Sequence, residues 1–334
     1  MVGVDTHAAQ HHYAAVNAAT GEVHADQSFP VSSLGLAVAI HWATEFAPAD
    51  RLLFAIEGAG NYGRQLALAL LEKGIQACDV KPQLRKGSSA NKSDRLDAIT
   101  AALAVLRVDT AHLNRPKSPA QANVELQILI AARRDIERRS LSLRNSLNAL
   151  VRRHDLGIVG GKTLRLSQIR EFADIEPRNV LEAEATRLAR EYLHQATNMR
   201  SIHKSLTEII ESLAPGLLDI FGVGPASAAV VLEAYSHHGR VRSEAAFAAL
   251  AGTSPLLEAS GIHSRHRLNP YGNRQLNRAI NTVAISRTLT DPRTKDYIQR
   301  RTAEGLTPRN IRRMLRRYIT RELYKYLRAN LVEA

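Results

Sequence analysis

The strongest constraint on this sequence is the spacing of apolar residues through its middle. Leu129, Ile136, Leu143, Leu147 and Leu150 recur at steps of seven, seven, four and three. Ala185, Leu188, Tyr192, Gln195, Met199, Ile202, Leu206, Ile209 and Leu213 then alternate steps of three and four without a break. Only helices of about 3.5 residues per turn gather such positions into one seam. Two long helices are therefore expected between residues 116 and 213, separated by a 157–177 connection. Packed antiparallel within the chain they form a coiled-coil arm, and pairing with a second subunit satisfies the same pattern.

Before the arm the period changes. Ala14-Ala15-Val16 and Val23 flank a Thr20-Gly21 turn, and residues 52–56 and 75–80 are short apolar runs of strand length. Residues 34–46 and 62–73 have helical spacing, the second ending at Gly74. This is the pattern of an α/β domain that opens with a hairpin. After the arm, Pro215-Gly216 breaks the helix, and the remainder reads as helix, turn, helix, a turn-rich segment over 254–270 and two basic helices. The expected organisation is an α/β domain over 1–115, a helical arm over 116–214 and a mostly helical domain over 215–334.

A chain of 334 residues accommodates two or three such domains, which excludes a small disulfide-stapled protein, and 45% hydrophobic composition excludes a disordered one. No apolar run approaches the about 20 residues needed to cross a bilayer. The N-terminus shows no secretory signal pattern, and Cys78 has no cysteine to pair with, so a soluble cytoplasmic protein is expected. The net charge of +13 is unevenly placed: residues 261–334 hold 17 basic and 5 acidic residues, and the rest holds 28 and 27. A positive field at one end is the footprint of a polyanion binder, most plausibly for nucleic acid. The alternative, a solubilising face, normally mixes both signs.

Several constellations carry chemistry. Asp5 closes the first apolar stretch, Glu57 closes the 52–56 run, and Asp94 and Asp97 lie three apart at the start of a predicted helix. Acids at strand ends share a sheet edge, and an i, i+3 pair shares a helical face. Four hard oxygen donors gathered this way would bind Mg²⁺ or Mn²⁺ and polarise a phosphodiester. Taken singly, Asp94 reads as an acid complementing a helix dipole and Asp97 as its solvated neighbour. Gly222-Val223-Gly224 between apolar helices is the helix-hairpin-helix arrangement, whose free N–H groups hold a phosphate; an ordinary αα-turn fits the segment as well.

Ser260-Gly261 is followed by Arg265 and Arg267, guanidinium groups able to hold a phosphate that a serine attacks; by composition alone, a turn serine is the simpler reading. Arg312, Arg313, Arg316, Arg317 and Arg321 lie opposite Ile311, Leu315 and Leu323, forming a cationic stripe suited to a nucleic-acid backbone or to solvent. The histidines, among them His7, His11 and His12, lack the paired spacing of a zinc site. They are expected at the surface, with His263 and His266 as candidate phosphate contacts.

Taken together, Gly3-Val4-Asp5, Ile56-Glu57-Gly58, the 92–98 segment KSDRLDA, Gly222-Val223-Gly224, the 247–252 segment FAALAG and Glu258-Ala259-Ser260-Gly261 resemble the IS110/IS1111-type insertion-sequence transposases. The resemblance spans essentially the whole chain in order. It implies an RNase H-like (RuvC-like) N-terminal domain whose DEDD tetrad falls on Asp5, Glu57, Asp94 and Asp97, a coiled-coil insertion, and a C-terminal transposase domain with Ser260 as nucleophile. It further implies recombination of double-stranded DNA, element ends with target, through a phosphoserine intermediate. The family works as homo-oligomers, here a dimer or tetramer, whose active site combines the acidic domain of one subunit with the serine domain of another. An element-encoded guide RNA pairs with both DNAs, and the bound protein would lie in the nucleoid. Two rivals remain at this stage: a RuvC-like endonuclease using water, which needs the tetrad but not Ser260, and a non-catalytic nucleic-acid-binding protein, which needs neither.

Overall fold

The computed structural model describes residues 1–80, 93–117, 120–156, 163–254, 256–260, 263–267 and 272–332, with only the backbone described at 111, 256–260 and 263–267. The chain divides into two compact units, one made of Met1–Pro119 with Ser236–Ser243, the other of Ala120–Tyr235 with Glu244–Ala334.

The first unit is built on a five-stranded sheet. Its elements are β1 (Val2–Thr6), β2 (Gln10–Val16), β3 (Val23–Pro30), α1 (Ser33–Thr44), β4 (Leu53–Glu57), α2 (Arg64–Glu72), β5 (Gln76–Val80) and α3 (Asp94–Leu106). The order is β3-β2-β1-β4-β5. β1, β2 and β3 form an antiparallel meander, while β4 and β5 add in parallel beyond β1. The turn at Thr20-Gly21 is tight enough to need Gly21 at φ 76°, where a residue without Cβ is unstrained.

Strand alternation sorts the two faces of the sheet. Val2, Val4, Phe54 and Ile56 pack with Leu36, Ile40, Leu66 and Leu70 of α1 and α2. Ala55, Cys78 and Val80 face the other way and bury Ala101 and Val105 of α3. Gly3 shares that second face, and α3 lies almost directly on it. A Cβ at Gly3 would come within 1.9 Å of the Ala98 carbonyl oxygen and 2.7 Å of the Ala102 nitrogen. Glycine beneath a run of alanines therefore sets how closely this helix approaches the sheet.

The second unit is helical with one small hairpin: α4 (Gln121–Arg153), α5 (Leu166–Asp174), α6 (Val180–Leu213), α7 (Pro225–Tyr235), α8 (Glu244–Leu250), β6 (Leu256–Ser260), β7 (His263–Arg267), α9 (Arg274–Thr290), α10 (Pro292–Ala303) and α11 (Pro308–Asn330). α4 and α6 run antiparallel: Arg133 Nε donates to His203 Nε2 at 3.3 Å near one end, and Leu147 packs with Leu188 near the other. Gln195 is buried within the seam.

Two elements differ from the sequence reading. The 157–177 connection, read as a plain link, contains α5, whose Ile169 and Phe172 pack against Leu147, Ala185 and Leu188 and seal the end of the helix pair. The 254–270 segment, read as turn-rich within a mostly helical domain, contains the antiparallel pair β6–β7. Its neck is closed tightly. Asn273 N donates to Leu250 O at 2.6 Å, Asn277 Nδ2 donates to Ala251 O at 2.7 Å, and a Cβ on Gly272 would meet Gly252 N at 2.6 Å. α11 closes the unit. Tyr324 packs edge-on to Tyr235 and beside Phe247, and Val332 N donates to Leu213 O at 2.8 Å.

Candidate functional site

Asp5 and Asp94 come together at the C-terminal end of β1, with Asp97 close enough to act on Asp5 electrostatically and Glu57 ending the neighbouring strand. Asp5 lies two residues beyond Gly3 and so on the face covered by α3. Asp94 lies one helical turn before Ala98, so the contact of Gly3 with Ala98 carries Asp94 toward Asp5. Glu57 ends β4 two residues after Ala55, which also faces α3, and the register of Val4 with Ile56 sets Glu57 on the neighbouring strand at the level of Asp5. Thr6 Oγ1 donates to the Glu57 carbonyl at 2.6 Å and ties the two strand ends together. The Ser93 side chain accepts from Leu96 N at 3.2 Å and fixes the start of α3, leaving Asp94 and Asp97 in its first turn.

His7 completes the group. Its Nε2 is 3.0 Å from Asp5 Oδ2 and 3.5 Å from Asp94 Oδ1, and ligand atoms of Asp5, His7 and Asp94 lie within 4.8 Å of one another. Asp5 is buried, whereas His7 and Asp94 are exposed. Burial pushes the Asp5 carboxyl above its ordinary range; His7 opposes this, and the negative charges of Asp97 and Asp94 add to it. A buried acid that two further acids make harder to ionise is relieved by a cation. Hard oxygen donors with one imidazole form a donor set that fits a divalent metal.

The surface expectation for the histidines is corrected at His11, while His7 is exposed as expected but sits among the acids. His7 belongs to the acidic cluster because it directly follows β1 at the end where Asp5 lies, with its backbone N–H held by His11. His11 is fully buried, with its pKa lowered by burial, and its Nδ1 accepts the His7 N–H at 3.3 Å. The signal for His7 was its place two residues after Asp5, just past the end of the first apolar stretch.

In the second unit, Gly222 has φ 80°, and a Cβ there would meet Val283 O at 3.3 Å. Gly224 is open, with nothing within 4 Å of such a Cβ, and it immediately precedes α7. Before the glycines stands a single 3-10 turn, Leu217–Asp219, where the sequence suggested a longer helix; α6 has ended at Leu213, and Gly216 in the left-handed region, φ 82°, starts the turn. Ser260 ends β6, paired with His263 across the hairpin, and Ser264 pairs with Ala259. The side chains of Ser260, Arg265, Arg267, His263 and His266 lie outside the described residues.

The arginine stripe of α11 is not uniform. Arg312 is exposed, and Arg316 is partly buried. Burial pushes the Arg316 pKa down, and the neighbouring Arg312 and Arg313 add to it. Arg317 pairs with Glu244 of α8, and Arg321 Nε lies 3.5 Å from the same carboxylate. The stripe is thus tied into the unit at Arg317 and Arg321 and most accessible at Arg312. Among the described residues, no helix is long and apolar enough to cross a membrane.

Comparison with known proteins bears on both units. Residues 2–154 match the DEDD-type IS110 transposase family, and residues 214–299 match the transposase IS116/IS110/IS902 family. A 112-residue stretch is 33% identical to the 43.6 kDa protein of insertion element IS110 from Streptomyces coelicolor, covering 32% of this chain and 27% of that protein.

Proposed function

Because this chain belongs to the IS110 family of transposases, we propose that it cuts and rejoins DNA as a recombinase. In this reading Asp5, Glu57, Asp94 and Asp97 hold Mg²⁺ or Mn²⁺ against the scissile phosphate, and Ser260 attacks it. The observation that carries the reading is the approach of Asp94 to Asp5 through the imidazole of His7, within the residues that match the DEDD family. The strand order, an antiparallel meander extended by two parallel strands, supports an RNase H-like assignment for the first unit.

A bound divalent ion supplies a Lewis acid that polarises the phosphodiester. The chain's own residues do the rest. The Ser260 oxygen forms a bond to phosphorus, a deoxyribose oxygen leaves, and the DNA stays joined to the protein through phosphoserine. Arg265 and Arg267 offset negative charge on the pentacoordinate phosphorus. The turn at Gly222 and Gly224, with the start of α7, grips backbone phosphate together with Arg312, Arg313 and Arg316 of α11. The working species is a homo-oligomer in the cytoplasm, and an element-encoded RNA selects the double-stranded DNA that it joins.

The test is incubation of labelled double-stranded DNA with the protein, the flanking RNA and Mg²⁺, resolved on a denaturing gel. A protein-linked DNA band in the wild type that Ser260→Ala abolishes is the expected result. Free nicked DNA with no adduct from either protein would replace the serine by water, and binding with no product would leave only a nucleic-acid-binding protein.

A further inference from the structure

We propose that His7 is a ligand of the divalent ion, and that it turns the carboxylate site toward Mn²⁺ in preference to Mg²⁺. The inference rests on the metal reading above but concerns a residue outside the acidic tetrad. Its basis is the placement of one atom. His7 Nε2 lies 3.0 Å from Asp5 Oδ2 and 3.5 Å from Asp94 Oδ1, oxygens supplied by a strand and by a helix. Donors at metal bonds of about 2.1 Å in an octahedron stand about 3.0 Å apart along an edge and about 4.2 Å across it. The two separations from His7 Nε2, the shorter of them a hydrogen bond, lie between these values, and all three donor atoms lie within 4.8 Å of one another.

The backbone around His7 is held from two sides, which limits how far the ring can swing. Its own N–H is accepted by His11 Nδ1 at 3.3 Å, and the preceding Thr6 is bonded through Oγ1 to the Glu57 carbonyl at 2.6 Å. His11 is fully buried, so this anchor is part of the core. The His7 side chain is 48% exposed, which leaves an approach for a hydrated ion from solvent.

Imidazole changes the selectivity of the site. Mg²⁺ prefers oxygen donors and keeps several of its waters, whereas nitrogen donors raise affinity for Mn²⁺ and later first-row ions. A site of carboxylates alone would discriminate little between Mg²⁺ and Mn²⁺; one with His7 in the shell favours Mn²⁺.

The experiment is a titration of the full-length, chelator-stripped protein with Mn²⁺, followed by the electron paramagnetic resonance signal of free Mn²⁺, and with Mg²⁺ by calorimetry. Wild type, His7→Ala, His7→Gln and Asp5→Asn are compared after circular dichroism has shown native helicity. His7→Ala is expected to weaken Mn²⁺ binding on the order of tenfold or more while changing Mg²⁺ binding less than about threefold. His7→Gln, which keeps much of the side-chain volume, is expected to show the same split. Unchanged Mn²⁺ affinity in both His7 variants, with Asp5→Asn abolishing it, would overturn the role of His7 and leave the metal reading standing. Tighter binding of both ions by His7→Ala would make the imidazole a resident counter-ion and also overturn the proposal. Failure of the wild type to bind either ion would sink this inference together with the metal reading.

Discussion

Replacing Gly3 by alanine tests whether the closeness of α3 to the sheet assembles the acidic site. The added methyl would lie 1.9 Å from Ala98 O, 2.7 Å from Ala102 N and 2.9 Å from Ala102 Cβ, two of these three atoms being helix backbone that no rotamer change can move. Ordinary contact returns only when the helix retreats by more than about 1 Å. Overpacking of this kind costs about 1–3 kcal/mol. For a unit of this size that corresponds to a fall in melting temperature of roughly 3–15 °C. The same retreat moves Asp94, one turn before Ala98, away from Asp5, and ligand displacements near 1 Å weaken function on the order of a hundredfold. Gly60→Ala is the control, because its nearest atom, Lys117 Cδ, would be 4.0 Å from the new methyl. Scanning fluorimetry of the metal-free proteins gives the stability change, and Mn²⁺ titration gives the affinity change. A Gly3→Ala protein as stable as wild type would refute the packing argument. One that is destabilised yet binds Mn²⁺ normally would show that the Gly3 contact does not set the distance between Asp5 and Asp94.

Burial and the neighbouring acids hold the Asp5 carboxyl above its unfolded value, so the folded protein takes up its proton more readily. Ionised Asp5 therefore costs stability at neutral pH, and the cost disappears as pH falls through the raised value. Asp5→Asn is expected to raise the melting temperature of the chelator-treated protein at pH 7, to reduce the gain that wild type shows on acidification, and to remove the stabilisation by Mn²⁺; a lower melting temperature at pH 7 would contradict this. Arg317 is paired with Glu244, so the rest of the stripe is tested by Arg312→Gln, at an exposed position, with Arg313→Gln, at a half-buried one. If each meets one phosphate, the logarithmic salt dependence of DNA binding should become shallower by about two. An unchanged slope in a fluorescence-anisotropy salt series would mean that these two cations are solvated in the complex.

The periodicities determined most of the secondary structure by themselves. Heptad spacing required α4 and α6, because a helix with one buried face imposes that repeat on any sequence, and short apolar runs of strand length marked β4 and β5. The helix start at Asp94 and Asp97 was legible for a local reason, since acids in a first turn complement the helix dipole. Other features exist only through tertiary contact. Nothing in the alternation or heptad pattern marked α5, since its Ile169 and Phe172 gain their partners from Leu147 and Leu188. β6 and β7 carry no clear alternation; the backbone pairing of one strand with the other defines them. Whether the helices of the arm pair with each other or with a second chain was open in the spacing, which fixes a seam but not the partner that covers it. His7 looked like one of several surface histidines because its place beside the acids depends on its neighbours, and Asp94 becomes its neighbour only when α3 settles onto Gly3. Arg317 read as part of an open stripe because Glu244 is far away in sequence and close only in the folded unit. Local rules specify an element and the face it presents; which charges and donors meet across that face depends on how two elements pack, a distance that sequence spacing does not encode.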